Sequence, residues 1–291
     1  SSLILDKYHP YEDLPKMINP TSGYIFNTNN SPFNSTAEFE NLKEEDYNST
    51  FSFMEEENNR SVRFMELIDD YEKLSYEDFK EIKYDQQYPD SILYIGNISQ
   101  IFDLDKSEFP NYENLIDLIQ NWDRRGDIEN IGAAQWSLYY SYMLDVLSEN
   151  DLNVKDTIDI KFHLDALEKT KARLMNNFGK LDIRLGDIQR LVRSDKSLPV
   201  SGLIDMIAPT YSVPMEGGKV RAVSGESYIM LIKYSEDGPE VETVLPYGNS
   251  SNPSSPHYTD QMEMYTEKKL KIMTLDKDEI LSRAVRIYSP N

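Results

Sequence analysis

Apolar residues recur with helical spacing through the middle of the chain. Tyr112, Leu115, Ile116, Ile119 and Trp122 follow an i, i+3, i+4, i+7 pattern, and so do Trp136, Tyr139, Tyr140 and Met143. Each stripe predicts a helix with one buried face, and the aromatics on it read as core. Phe64, Met65 and Ile68 share a further face behind Asn58 or Asn59, either of which can cap a helix start. Ser75 and Asp78 have the spacing of a capping box. A charged helix is predicted over much of 155–178, ending before Gly179.

The last third changes period. Strands are predicted over 219–223 and 227–234, the second apolar at successive positions, which predicts cover on both faces. An antiparallel partner is predicted over 240–245, across a turn at 236–239, followed by a loop at 247–253 and a short helix from about Ser255. Residues 1–57 are rich in turn formers. Asn19, Pro20, Ser22 and Gly23 mark a turn, and 24–26 read as a short strand entering the polar cluster Asn27, Thr28, Asn29, Asn30, Ser31, Pro32. An acidic excursion occupies 34–58. The pattern gives a layered α+β architecture in three segments: strand and loop at 1–57, mainly helix at 58–180, strands and terminal helices at 181–291.

Composition narrows the chemistry. The 291 residues carry 51 acidic against 30 basic side chains, a formal net charge of −21, which argues against nucleic acid or an anionic membrane as partner. No run of about 18 apolar residues is present, so no spanning helix is expected. With no cysteine, disulfide and thiolate chemistry are excluded. His9, His163 and His257 lie far apart, so a histidine metal site is not expected. His257 reads as a turn anchor, and Asp260 and Glu263 as a solvated helix face.

Three segments carry a family resemblance. The first runs from Asn19 through Gly23, Tyr24 and Phe26 to Asn27-Thr28-Asn29-Asn30-Ser31-Pro32. The second is Asn59-Arg60-Ser61-Val62-Arg63. The third extends from Leu185-Gly186-Asp187-Ile188-Gln189-Arg190 through Leu198-Pro199-Val200-Ser201-Gly202 and Gly225-Glu226-Ser227-Tyr228 to Ser255-Pro256-His257-Tyr258-Thr259-Asp260-Gln261. In order and spread they resemble the C-terminal part of the large subunit of the penicillin acylase family, in its acyl-homoserine lactone acylase-like branch. One departure is Arg184-Leu185-Gly186-Asp187, where relatives often carry His-Trp-Gly-Asp, which bears on local packing or pocket shape.

The resemblance implies a four-layer αββα N-terminal-nucleophile hydrolase fold, with two antiparallel sheets face to face between helices. It implies hydrolysis of amides of N-acyl compounds such as penicillins or acyl-homoserine lactones, by a serine whose own α-amine is the base. The oxyanion donor of that family matches Asn29 here, and its orienting arginine matches Arg60. A cation at a helix start faces the positive end of the dipole, a misfit in keeping with a role outside helix stability. Phe53 matches the family's acyl-pocket aromatic. Ser1 lacks the expected Ser-Asn pattern and stands only 28 positions before Asn29, so it reads as a fragment edge, not the nucleophile. The expected partners are an upstream nucleophile-bearing segment and a small alpha subunit of the same precursor, with an N-acyl small molecule as substrate. The resemblance also implies a periplasmic or secreted enzyme. No cofactor is expected, although family members often bind calcium, for which the matched residues define no site. The alternative is a non-catalytic binding or structural domain on the same fold.

Overall fold

The computed structural model describes residues 8–48, 53 and 57–289. They form two compact units, one of the described residues up to 72 with 88–94, the other of 73–87 with the described residues from 95 on.

The first unit is held by helix α1 (Asn59–Ile68) and by hydrogen-bonded loops. Asn58 caps α1 by accepting from the Ser61 amide, and the Ser61 hydroxyl accepts from the Asn58 amide in return. Phe26 stacks on Phe64 of α1 at 4.5 Å, with the Tyr24 ring edge-on to Phe64 at 6.1 Å. The strand expected over 24–26 does not form. Within this stretch the Phe26 amide donates to Ser35 O at 2.9 Å, and the Thr36 hydroxyl donates to Tyr24 O at 2.7 Å, so side chains supply part of what a ladder would. Glu40 accepts from the Thr21 and Ser22 amides at 2.6 and 2.8 Å, closing the predicted turn. The Thr21 and Ser22 donors hold its carboxyl down at about 2.

The second unit contains the predicted helical core. Its helices are α2 (Tyr76–Lys83), α3 (Glu113–Gln120), α4 (Ala133–Glu149), α5 (Ile160–Phe178) and the short α6 (Leu185–Ile188). Leu115, Ile116 and Ile119 of α3 and Tyr139 and Met143 of α4 are fully buried, as their spacing predicts. Trp136 stacks against Trp122 at 5.8 Å and Tyr140 at 5.5 Å, so the aromatic stripe is core. Ser75 and Asp78 form the predicted box on α2, and α5 ends at Gly179 with φ 72°.

Two sheets follow. The strands of the first are β1 (Gln189–Arg193), β2 (Lys196–Pro199), β3 (Thr210–Pro214) and β4 (Val220–Gly225), in the order β2-β1-β4-β3. This sheet is mixed and not wholly antiparallel, because β1 and β4 pair in parallel. The buried Gln189 ties it to the next segment, donating to Val200 O at 2.9 Å and Gly202 O at 2.8 Å. The second sheet orders β5 (Ile229–Ser235), β6 (Gly238–Val244) and β7 (Lys271–Ile272) antiparallel. The expectation that β5 is covered on both faces fails. Ile229 and Leu231 pack with Val244 against Tyr76, Tyr84, Met264, Tyr265 and Leu270, whereas Met230, on the other face, is 44% exposed. Alternation along the pleat thus governs this strand despite its run of apolar residues.

Helix α7 (Met262–Thr266) starts later than the sequence suggests. Ser255 takes the His257 amide on its hydroxyl at 3.1 Å and the Tyr258 amide on its carbonyl at 3.1 Å, so it makes a turn and not a helix start. A last helix, α8 (Lys277–Arg283), is capped by Asp276.

Candidate active site

The 27–34 loop is built from side-chain-to-backbone bonds. Asn27 Oδ1 accepts from the Asn29 amide at 2.8 Å, an Asx turn that sets Asn29 at φ 65°. Asparagine is one of the few non-glycine residues that takes this left-handed conformation at low cost. Asn30, 7% exposed, is the internal post of the loop. Its Oδ1 accepts from the Thr28 amide at 2.7 Å and its Nδ2 donates to Asn34 O.

Asn58 ties this loop to α1. Its Oδ1 accepts from the Ser61 amide at 2.8 Å and its Nδ2 donates to Thr28 O at 2.9 Å. Asn59 anchors the same helix start to the 88–94 segment, accepting from the Leu93 amide at 2.6 Å. Both asparagines are buried. The first turn of α1 is therefore fixed from two sides, and Arg60 projects from it.

Arg60 Nη1 donates to Asn29 Oδ1 at 3.0 Å. Guanidinium has donors only, so the amide atom facing it must be the oxygen. Asn29 Nδ2 then points away from Arg60, and it has no acceptor among the described residues. Asn29 is exposed and Arg60 is half-buried. The result is a neutral N–H donor, fixed in direction and open to solvent, with its carbonyl end polarised by a cation. Such an arrangement can stabilise negative charge developing on an approaching oxygen.

The structure thus joins two of the three predicted site residues directly. The third, Phe53, meets Phe33 edge-on at 5.4 Å, and Phe33 lies 5.6 Å from the Tyr47 ring. Phe53 is connected to the asparagine loop through Phe33 and forms part of a small aromatic wall beyond it. Sequence reasoning gave Asn58 only as a possible helix cap and missed its tie to the loop, as well as the supporting roles of Asn27 and Asn30. Their signal was the density of asparagine over 27–34 and at the helix start, a residue type that hydrogen-bonds its own backbone.

Other residues singled out from the sequence lie elsewhere. Ser1 falls outside the described residues. His9 is exposed in the first unit, while His163 is buried in α5 with its Nδ1 on the Tyr139 hydroxyl at 2.5 Å. His257 Nδ1 pairs with Asp260 at 2.8 Å, and Glu263 pairs with Lys196 at 3.3 Å, both exposed. Arg184, at the departure from the family pattern, forms a bidentate pair with Asp187 and reaches Glu129 at 2.6 Å. These carboxylates hold its guanidinium protonated, its pKa raised above the usual range. Among the described residues no three acidic or histidine side chains converge on a metal position, and no step is assigned to a metal. None of the helices among the described residues is long and apolar enough to cross a membrane.

Comparison with known proteins finds acylases. Over 180 residues the chain is 26% identical to acyl-homoserine lactone acylase PvdQ of Pseudomonas syringae pv. tomato, covering 56% of this chain and 23% of that protein. It is 28% identical over 94 residues to aculeacin-A acylase of Actinoplanes utahensis, covering 29% of this chain and 11% of that protein. The chain therefore spans less than a quarter of the length of these relatives. Among solved structures, the thermostable penicillin G acylase from Alcaligenes faecalis aligns with a TM-score of 0.47 and 13% identity, over 97% of this chain and 60% of that one. Residues 3–282 match the family model described as penicillin amidase, and the chain belongs to that family.

Proposed function

We propose that this chain is the scaffold and oxyanion-binding part of an acylase that hydrolyses the amide bond of N-acyl compounds such as penicillins or acyl-homoserine lactones. The observation that carries the reading is the Arg60–Asn29 bond, which leaves the Asn29 Nδ2 donor unpaired among the described residues. In this reading an N-terminal serine, carried by an upstream segment of the same precursor, attacks the acyl carbonyl carbon. Its α-amine takes the hydroxyl proton. The carbonyl oxygen becomes an oxyanion and accepts from Asn29 Nδ2. Collapse expels the amine, which receives that proton, and water then releases the acid from the acyl-serine. Arg60 positions Asn29, and Phe53 with Phe33 lines the acyl side. A small alpha subunit completes the substrate site, and the mature enzyme works in the periplasm or outside the cell.

Asn29→Ala and Asn29→Asp in the full-length enzyme test this reading. Loss of one preorganised oxyanion donor lowers kcat by roughly 100- to 1,000-fold. Asn29→Asp keeps the tolerance for positive φ, so its fold is retained while the N–H donor is gone. Unchanged turnover in both variants removes Asn29 from the mechanism.

A further inference from the structure

We infer that the second unit holds a built site for one small neutral guest, a water molecule, between Tyr84 and Gln86. The two side chains line a cavity of about 20 Å³ together with Ser201, Ala208, Tyr265 and Lys268. A single water needs roughly 10–15 Å³ on this measure, so the space admits one such guest and little more.

Each of these two lining residues carries a buried polar atom with no hydrogen-bond partner among the described residues: Tyr84 Oη and Gln86 Oε1. Gln86 is 5% exposed. Its Nε2 donates to Ala208 O at 3.4 Å, which settles the amide orientation, because a flipped amide would set its oxygen against that carbonyl. The unpaired atom is therefore an acceptor, and the guest must donate to it. Burial, with the Glu226 carboxylate nearby, pushes the Tyr84 phenol up to about 12, so its hydroxyl stays protonated and can donate to the guest in turn.

The two charged side chains that line the cavity, Glu226 and Lys268, are of opposite sign, so it favours neither an anion nor a cation. Glu226 is also paired with Lys83, and Lys268 Nζ reaches Tyr84 O at 3.5 Å. Larger neutral molecules exceed the volume. A water can donate to Gln86 Oε1 and accept from the Tyr84 hydroxyl, and it would link the end of α2 to the 200–208 segment and to the turn after α7. Lys268 takes φ 57° in that turn, a left-handed conformation that fixed neighbours help to hold.

Thermal unfolding of Tyr84→Phe, Gln86→Met and the double variant, each in the complete chain, tests the inference. A hydroxyl bonded to a guest is lost at a cost, so Tyr84→Phe lowers Tm by about 2–4 °C. Both residues hold the same guest, so the double variant loses less than the two single losses added. A Tm that is unchanged or raised in Tyr84→Phe overturns the inference, since removing an unsatisfied buried hydroxyl relieves a penalty. Strict additivity overturns it as well, because the two side chains would then share nothing.

Discussion

Arg60 Nη1 and Asn29 Oδ1 lie 3.0 Å apart, and this one bond determines which end of the Asn29 amide remains for chemistry. A charge-assisted hydrogen bond of this kind is worth about 1.5–3 kcal/mol. Without it the amide turns freely and presents its oxygen to the oxyanion part of the time. Arg60→Met in the full-length enzyme is therefore expected to lower kcat by roughly 10- to 100-fold with a smaller change in KM. The effect disappears in the Asn29→Ala background, because Arg60 acts through Asn29. Equal losses in both backgrounds would show that Arg60 works independently.

Asn58 performs two tasks that can be separated. Its Oδ1 caps α1 through the Ser61 amide, while its Nδ2 holds Thr28 O beside Asn29. Asn58→Ala removes both and costs about 1–2 kcal/mol, read as a lower midpoint in urea. Asn58→Asp keeps the capping oxygen but replaces the donor to Thr28 O by a carboxylate oxygen that repels it, which breaks the tie to the loop. Its stability stays nearer that of the parent protein, but acylase turnover falls because the loop is released. Full activity in Asn58→Asp would show that the loop holds Asn29 without help from the helix start.

Helices with long apolar stripes were legible in the sequence, because Trp136, Tyr139 and Met143 must face one way at 3.6 residues per turn. Caps were legible too, since Asn58, Ser75 and Gly179 do local work that depends on few distant partners. The strand at 24–26 was misjudged because a short apolar run does not say what pairs with it. Cover on both faces of β5 was misjudged for a related reason. Met230 and Ile232 look like core residues in sequence, yet burial is decided by what packs above them. Strands β1, β2, β3 and β7 are too short to show a period. At the site, Asn29 and Arg60 were placed by resemblance alone, since no periodicity connects residues 31 positions apart. The supporting bonds of Asn27, Asn30 and Asn58 required coordinates.

Gly132 is the entry to α4, with φ 106°. A Cβ there would lie 2.8 Å from Trp122 Cβ and 3.0 Å from Leu118 O. Both the backbone conformation and the space therefore demand glycine. Gly132→Ala must shift α3 against the Trp122–Trp136 stack, at a cost of about 2 kcal/mol or more. Chemical denaturation measures it, and a loss below about 0.5 kcal/mol would mean that α3 and α4 move apart freely.

His163 gives the protein a predictable acid sensitivity. It is buried against Tyr139, its Nε2 has no hydrogen-bond partner among the described residues, and burial lowers its pKa from 6.5 to about 4. Between those values the unfolded chain binds a proton that the folded chain does not, so stability falls as pH drops through this window. The full loss is about 3 kcal/mol and is complete near pH 4, below which this group adds no further slope. His163→Phe keeps a ring beside Tyr139 but leaves the tyrosine hydroxyl without its partner, so the variant is less stable at pH 7. Its stability nevertheless declines less steeply from pH 6.5 to 4, because the titrating group is gone. Urea midpoints measured across that range for both proteins check the difference in slope. Parallel profiles would mean that His163 takes up its proton in the folded chain as it does in the unfolded one.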